Sequence, residues 1–291
     1  MSLPYREYPM YFPSGEEVLL GVLTEPIGPS SGLDILALCG GGWIPSFHRG
    51  SMWVRMARSF AGVGDRTFRF DYHGVGESTG MVVFDMNFPL VQDAEAALSM
   101  FADGSPEKSV LVGTCLGGRT AAALAAKVSP AGAVFLAVPV IGAKSTAELI
   151  KKAGSRRVLR NVLKSEHRRQ YRRIAVRRIR RIVNSVRARR NGLVGQRQFV
   201  DDFEILVRKR VPSLFVYGAE DPEYQQFLDA SRAGRMAKAL DLAGGNVEVV
   251  VVPGRLHGFG TPEAQQHVID VVRTWLDAVT FTNLGAAQKQ I

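Results

Sequence analysis

Apolar residues recur along this chain in two rhythms: short runs that read as strands, and positions returning every three or four residues that read as one face of a helix. Two short runs, 7–12 and 17–24, flank Pro13-Ser14-Gly15 and predict an opening hairpin. After a loop at 29–32, the apolar run 33–39 predicts a buried strand that ends in Gly40-Gly41-Gly42-Trp43. Met52, Trp53, Met56, Phe60 and Val63 then predict a helix over 50–62. Further strands are expected at 67–70, 109–112, 133–138, 213–217 and 247–252, and further helices at 90–101, near 225–242 and at 262–279. Strands that alternate with helices imply a mostly parallel sheet covered on both faces, an α/β fold.

The alternation fails between 142 and 210, where no strand is visible and the composition is helical. Lying between two sheet strands, this stretch predicts a helical cap (142–210) inserted into a core domain made of 1–141 and 211–291. The last residues, 280–291, are expected to be a short, loosely held end. At 291 residues and 46% hydrophobic content the chain is long enough to bury one large core.

Charge sharpens the picture of the insert. The whole chain carries +10, yet residues 151–190 hold 17 Lys and Arg against the single acid Glu166, so the remainder is net acidic. In that insert Ala175, Ile179, Ile182 and Val186 recur at helical spacing, while Arg172, Arg173, Arg177, Arg178, Arg180 and Arg181 crowd the other positions. A basic surface confined to one segment indicates a local partner site or a solvated lid rather than a generally basic protein. Its sparse aromatics, with Tyr171 alone among the arginines, argue against stacking on single-stranded nucleic acid.

Two cysteines, Cys39 and Cys115, make no disulfide framework, and a reducing cytoplasm is the expected setting. The start of the chain shows no basic region followed by an apolar stretch, and no window approaches a membrane span, so a soluble, unexported protein is expected. No His/Cys/Asp/Glu cluster has zinc spacing, and Gly40-Gly41-Gly42 lacks the Lys-Ser/Thr sequel of a phosphate loop. Neither a metal nor another cofactor is expected.

The chemistry concentrates at Gly113-Thr114-Cys115-Leu116-Gly117. A short apolar strand turning sharply into a small-residue helix exposes the central side chain at the sheet's edge, and the flanking glycines allow close backbone approach. Together with three other landmarks in chain order, this elbow resembles the α/β-hydrolase superfamily over about 17–278. The others are the glycine run after the strand at 33–39, the turn Asp71-Tyr72-His73-Gly74-Val75-Gly76-Glu77-Ser78, and the pair Gly218-Ala219-Glu220-Asp221 and Gly254-Arg255-Leu256-His257.

The resemblance implies an α/β-hydrolase fold and the order nucleophile, acid, base, which falls on Cys115, Asp221 and His257, with Glu220 as the alternative acid. It implies an oxyanion hole from the backbone of Leu116 and of Gly41 or Gly42, and an acyl site near Trp43 and Phe47. His48 is a candidate substrate contact, whereas Asp71, His73 and Ser78 belong to a turn kept for structure. Cysteine stands where most of the family has serine. Its acyl-enzyme would be a thioester, so the expected activity is hydrolysis or transfer of an acyl group, as in thioesterase- or dienelactone-hydrolase-like relatives. The basic insert would suit an acidic acyl carrier protein or the phosphates of coenzyme A. Other readings remain open: a non-catalytic hydrolase-fold scaffold, a binder of nucleic acid or anionic membrane, a homodimer, and a redox pairing of Cys39 with Cys115.

Overall fold

The structure is a computed structural model that describes residues 4–28, 30, 33–40, 44–82, 84–102, 105–141, 198–256 and 260–287. Strands β1 (Tyr5–Ser14) and β2 (Glu17–Pro26) form the expected antiparallel hairpin, turning at Gly15. β2 also runs antiparallel to β4 (Arg66–Phe70). The remaining strands, β3 (Asp34–Leu38), β5 (Ser109–Thr114), β6 (Gly132–Leu136), β7 (Ser213–Gly218) and β8 (Val247–Val252), pair in parallel. The eight strands lie in the order β1-β2-β4-β3-β5-β6-β7-β8, so the elbow strand β5 is central, between β3 and β6.

Continuous apolar strands need cover on both faces, and the helices supply it. On one face pack α1 (His48–Ala61) and α7 (Pro262–Ala287), through Met52, Trp53, Met56 and Phe60 against Val268, Ile269, Val272 and Trp275. On the other lie α2 (Val91–Phe101), α3 (Leu116–Val128), α4 (Phe199–Arg208), α5 (Pro222–Arg232) and α6 (Gly234–Ala243). Helix α3 is almost wholly buried because its alanines and glycines leave no bulk between it and the sheet. Every residue of β5 is buried, whereas Val249 and Val251 of β8, at the rim, are each 40% exposed.

Three boundaries differ from the periodicity. The single helix expected near 225–242 is two, α5 and α6, because Ala233 is extended and Gly234 takes φ 85°, a left-handed value that glycine adopts without strain. Helix α7 continues past 279 to Ala287, through residues expected to form a loose end, because a helix already anchored on the sheet propagates more cheaply than it nucleates. Helix α4 stands at the end of the stretch read as a cap, but it packs into the core. Phe199 and Phe203 are buried against Phe215, and Phe199 meets the ring of Phe135 edge-on. Residues 142–197, with Arg172, Arg173, Arg177, Arg178, Arg180 and Arg181, lie outside the described residues.

The turn after β4 acts structurally, as expected of Asp71, His73 and Ser78. Asp71 Oδ1 accepts the Ser46 N–H at 2.5 Å, and Ser78 Oγ donates to the Asp71 carbonyl at 2.8 Å while accepting the Leu20 N–H. These bonds tie the chain entering α1 to the end of β4 and to β2. His73 Nδ1 lies 2.6 Å from Asp93 Oδ2, and Asp93 Oδ1 accepts from Ser14 Oγ at 2.7 Å. Burial disfavours a charged imidazole here, but the hydrogen bond and charge of Asp93 outweigh it and hold the His73 pKa above its ordinary value near 6.5. A histidine raised in the folded state contributes stability in full below its unfolded pKa and loses it as pH rises through the folded one. The melting temperature is therefore expected to fall from about pH 6.5 upward more steeply in the wild type than in His73→Gln. Parallel Tm-against-pH curves for the two proteins would contradict this.

Candidate active site

The elbow is built from the end of β5 and the start of α3. Cys115 has φ 52° and ψ −120°, a conformation that L residues avoid and that costs about 1–3 kcal/mol. The strain reverses the chain within one residue, so that Cys115 caps α3 and its half-buried side chain stands at the C-terminal edge of the sheet. The flanking glycines are required by contact. A Cβ on Gly117 would collide with the carbonyl oxygens of Leu38 and Cys39 at the end of β3, and one on Gly113 with the Gly117 carbonyl. Strand β3 and helix α3 therefore touch backbone to backbone, which brings Gly40 alongside the elbow: a Cβ there would lie 3.6 Å from the Cβ of Cys115.

This placement has electrostatic consequences. The first N–H groups of an α-helix have no partner within the helix, and they and the helix dipole favour an anion at the cap, here the position of the Cys115 sulfur. Leu116 opens α3, and its backbone N–H belongs to that set. One turn further on, Arg119 is 1% exposed, with Nη1 donating to the Pro139 carbonyl at 2.9 Å beyond the end of β6. Burial lowers the Arg119 pKa, opposed by attraction to Asp202, Cys115 and Asp85 in that order, so a buried cation lies within electrostatic reach of the thiol.

Asp221 lies where the chain leaves β7. It caps α5, is 3% exposed, and its Oδ2 accepts the Gly218 N–H at 2.9 Å, folding the carboxylate back over the strand end. Glu220, the alternative acid, is exposed, so the acidic group buried at this turn is Asp221. The next crossover meets the same turn. Ala219 N–H donates to the Val252 carbonyl at 2.9 Å and Glu220 N–H to the Gly254 carbonyl at 3.0 Å, while Leu256, buried, has its backbone N against Gly218. The loop that leads to His257 is thus pinned to the turn that carries Asp221. His257 itself, with Gly41, Gly42 and Trp43, lies outside the described residues.

Of the other sequence candidates, Phe47 caps α1 and is 58% exposed, and His48 opens that helix, also exposed. Cys39 and Cys115 each carry a thiol and form no disulfide. Cys39 is wholly buried, and burial, reinforced by Asp71, pushes its pKa far up, which leaves it a poor partner for thiolate exchange. Among the described residues no group of three or more His, Cys, Asp or Glu is placed to hold a metal, and no helix is long and apolar enough to cross a membrane.

Periodicity did not point to Arg119 or Met86. The Met86 sulfur lies 4.0 Å from the Cys115 sulfur, brought there by the segment 79–90 that follows the β4 turn. That segment has neither helical nor strand rhythm. A charged residue between the glycines and alanines of α3 was the one local oddity that could have singled out Arg119.

A central strand turning through a strained cysteine into a helix, with an acid after β7 and a loop after β8 at the same edge, defines the class. The sequence profile of the alpha/beta hydrolase family matches residues 35–264, and the chain belongs to that family. No curated protein matches it by sequence. Among solved structures it resembles the proline iminopeptidase of Mycobacterium smegmatis, with TM-score 0.59, 16% identity, and 95% of this chain and 100% of that one covered. It resembles the dienelactone hydrolase of Anabaena variabilis, with TM-score 0.58, 17% identity, and coverage of 94% and 98%. A third is an esterase of Pyrococcus furiosus, with TM-score 0.58, 13% identity, and coverage of 94% and 94%. At these identities the likeness establishes the fold.

Proposed function

We propose that the protein hydrolyses or transfers acyl groups through a thioester on Cys115, with His257 as base and Asp221 as the acid that orients it. The observation that carries this reading is the backbone of Cys115 at φ 52°, a strained turn that presents a thiol at a helix N-terminus. In the reaction, His257 takes the Cys115 proton and the sulfur adds to the ester or thioester carbonyl carbon. The oxyanion is held by the N–H of Leu116 and of Gly41 or Gly42, donors of a kind worth about 3 kcal/mol each to the transition state. The bond to the leaving group breaks as His257 returns the proton to it, leaving the acyl group on sulfur. Water or another acceptor, deprotonated by His257, adds to the thioester carbonyl, and the carbon–sulfur bond breaks to restore the thiol.

Esters are the first substrates to try, since an esterase and a dienelactone hydrolase share the fold. The local charge of +16 over 151–190 supports a carrier with phosphate or acidic groups, either coenzyme A or an acyl carrier protein. The proposed cap, if it covers the site, would bring that carrier to the edge where the elbow stands.

The test is to mix the protein with p-nitrophenyl butyrate, quench within a turnover, and map the product by intact and peptide mass spectrometry. The expected result is one butyryl group on the peptide containing Cys115. A nitrophenol burst with no adduct on that peptide would overturn the reading.

A further inference from the structure

We infer that Met86 is a wall of the acyl subsite and makes the site select apolar acyl chains; the inference rests on the reading of Cys115 as the acylated residue. The Met86 sulfur is 4.0 Å from the Cys115 sulfur. A group bonded to that thiol and directed toward the strap meets the methionine side chain within its first atoms.

Met86 is held there rather than passing by. The segment 79–90 is fastened at its start, where Thr79 N–H donates to the Val18 carbonyl at 2.8 Å and the Thr79 carbonyl accepts from Gly74 N–H at 2.7 Å. It is fastened at its end, where Leu90 N–H donates to Thr120 Oγ1 at 3.1 Å, and Thr120 Oγ1 donates to the Leu116 carbonyl at 3.0 Å in the first turn of α3. Between these points Met86 occupies a closed turn in which Phe88 N–H donates to the Asp85 carbonyl at 2.9 Å and Asn87 N–H to Asp85 Oδ1 at 3.0 Å. The elbow and the end of the strap are therefore bonded to each other through Thr120, and Met86 stands beside Cys115 in a hydrogen-bonded turn four residues before that tie.

The side chains that the strap offers decide the class of acyl group. Met86 is half-buried and packs on the core, and Met81 and Phe84 on the same strap are 51% and 37% exposed, an uncovered apolar surface. A thioether donates no hydrogen bond and accepts only weakly, so a polar substituent on the acyl chain would lose its water with nothing in return. An unbranched and polarisable side chain adapts to a flexible alkyl chain.

The test uses alkyl methanethiosulfonates on the full-length protein. The Cys115 thiolate attacks the sulfenyl sulfur, a mixed disulfide forms and methanesulfinate leaves, so the alkyl chain occupies the place of an acyl chain without any turnover. The quantity read is the ratio of labelling rates, hexyl to methyl, from intact mass spectra; taking a ratio removes any common change in thiol reactivity. Wild type is expected to favour hexyl. Met86→Gln, close in shape but polar, is expected to lower the ratio about tenfold, and Met86→Leu to keep it within about twofold. A ratio unchanged in Met86→Gln and in Met86→Ala overturns the inference. If the ratio follows Met86 but p-nitrophenyl butyrate leaves no adduct on Cys115, the wall stands and the acyl-transfer reading falls. If the adduct forms and the ratio ignores Met86, the wall falls alone.

Discussion

Replacing Cys115 with alanine is expected to reduce p-nitrophenyl ester turnover by about 10³-fold or more, because loss of the proposed nucleophile, acting as a unit with its proposed base, removes covalent catalysis altogether. The residual rate would come from substrate binding and the proposed oxyanion donors, which the substitution leaves in place. Folding should survive it, since Cys115 is half-buried and its backbone, not its sulfur, sets the turn. Cys115→Gly gives the more searching result. Glycine relieves a φ of 52° that cysteine tolerates at a cost of about 1–3 kcal/mol, so this variant is expected to be inactive and more heat-resistant than the wild type. Turnover in Cys115→Ala equal to that of the wild type would remove Cys115 from the mechanism.

The second large effect is on stability. Gly117→Ala sets a methyl group onto the carbonyl oxygens of Leu38 and Cys39, which belong to the backbone of the central sheet and cannot rotate away. Relief requires α3 to lift from β3, and α3 carries the buried alanines that fill the space between elbow and sheet. The expected loss is about 3 kcal/mol or more, the upper part of the range for overpacked cores. It would be read as a lower midpoint in urea, with less soluble protein on expression. An unchanged midpoint would mean that the helix and strand do not meet at this glycine.

How far the sequence reaches depends on whether a feature is periodic or made by contact. Strands β3, β5 and β7 were legible because burial on both faces leaves continuous apolar runs, and α1 and α2 because their apolar positions return every turn. The division of α5 from α6 was not, since its signal is one glycine amid residues that otherwise favour a helix. Helix α4 was read with its Arg-rich neighbours, yet its first apolar positions, Phe199 and Phe203, match the aromatic cluster around Phe215 rather than the arginines before it.

The same contrast runs through the site. The elbow and the turn at Asp221 were legible because glycines and turn residues hold fixed offsets from Cys115 and Asp221. Met86 reaches the thiol across elements, from a segment 29 positions away, and no offset encodes that; Arg119 lies one turn along the helix that Cys115 caps, but its burial beside the end of β6 has no periodic signal. His73 shows the complement: it stands in the expected turn, and its partner Asp93, 20 positions on, was invisible until α2 folded back.

The contrast between β5 and β8 divides the site by how often its parts open. Amides of a strand buried on every residue and paired on both sides exchange with solvent only when the whole domain unfolds, whereas a rim strand paired on one side opens in local fluctuations. The cysteine is anchored to the first kind of strand, and the proposed base hangs from the second. Warming the protein toward its transition should therefore loosen β8 and the loop that leads to His257 well before it disturbs Cys115, so that a thiol still presented at its edge outlasts the order of the strand that would deliver its proposed base.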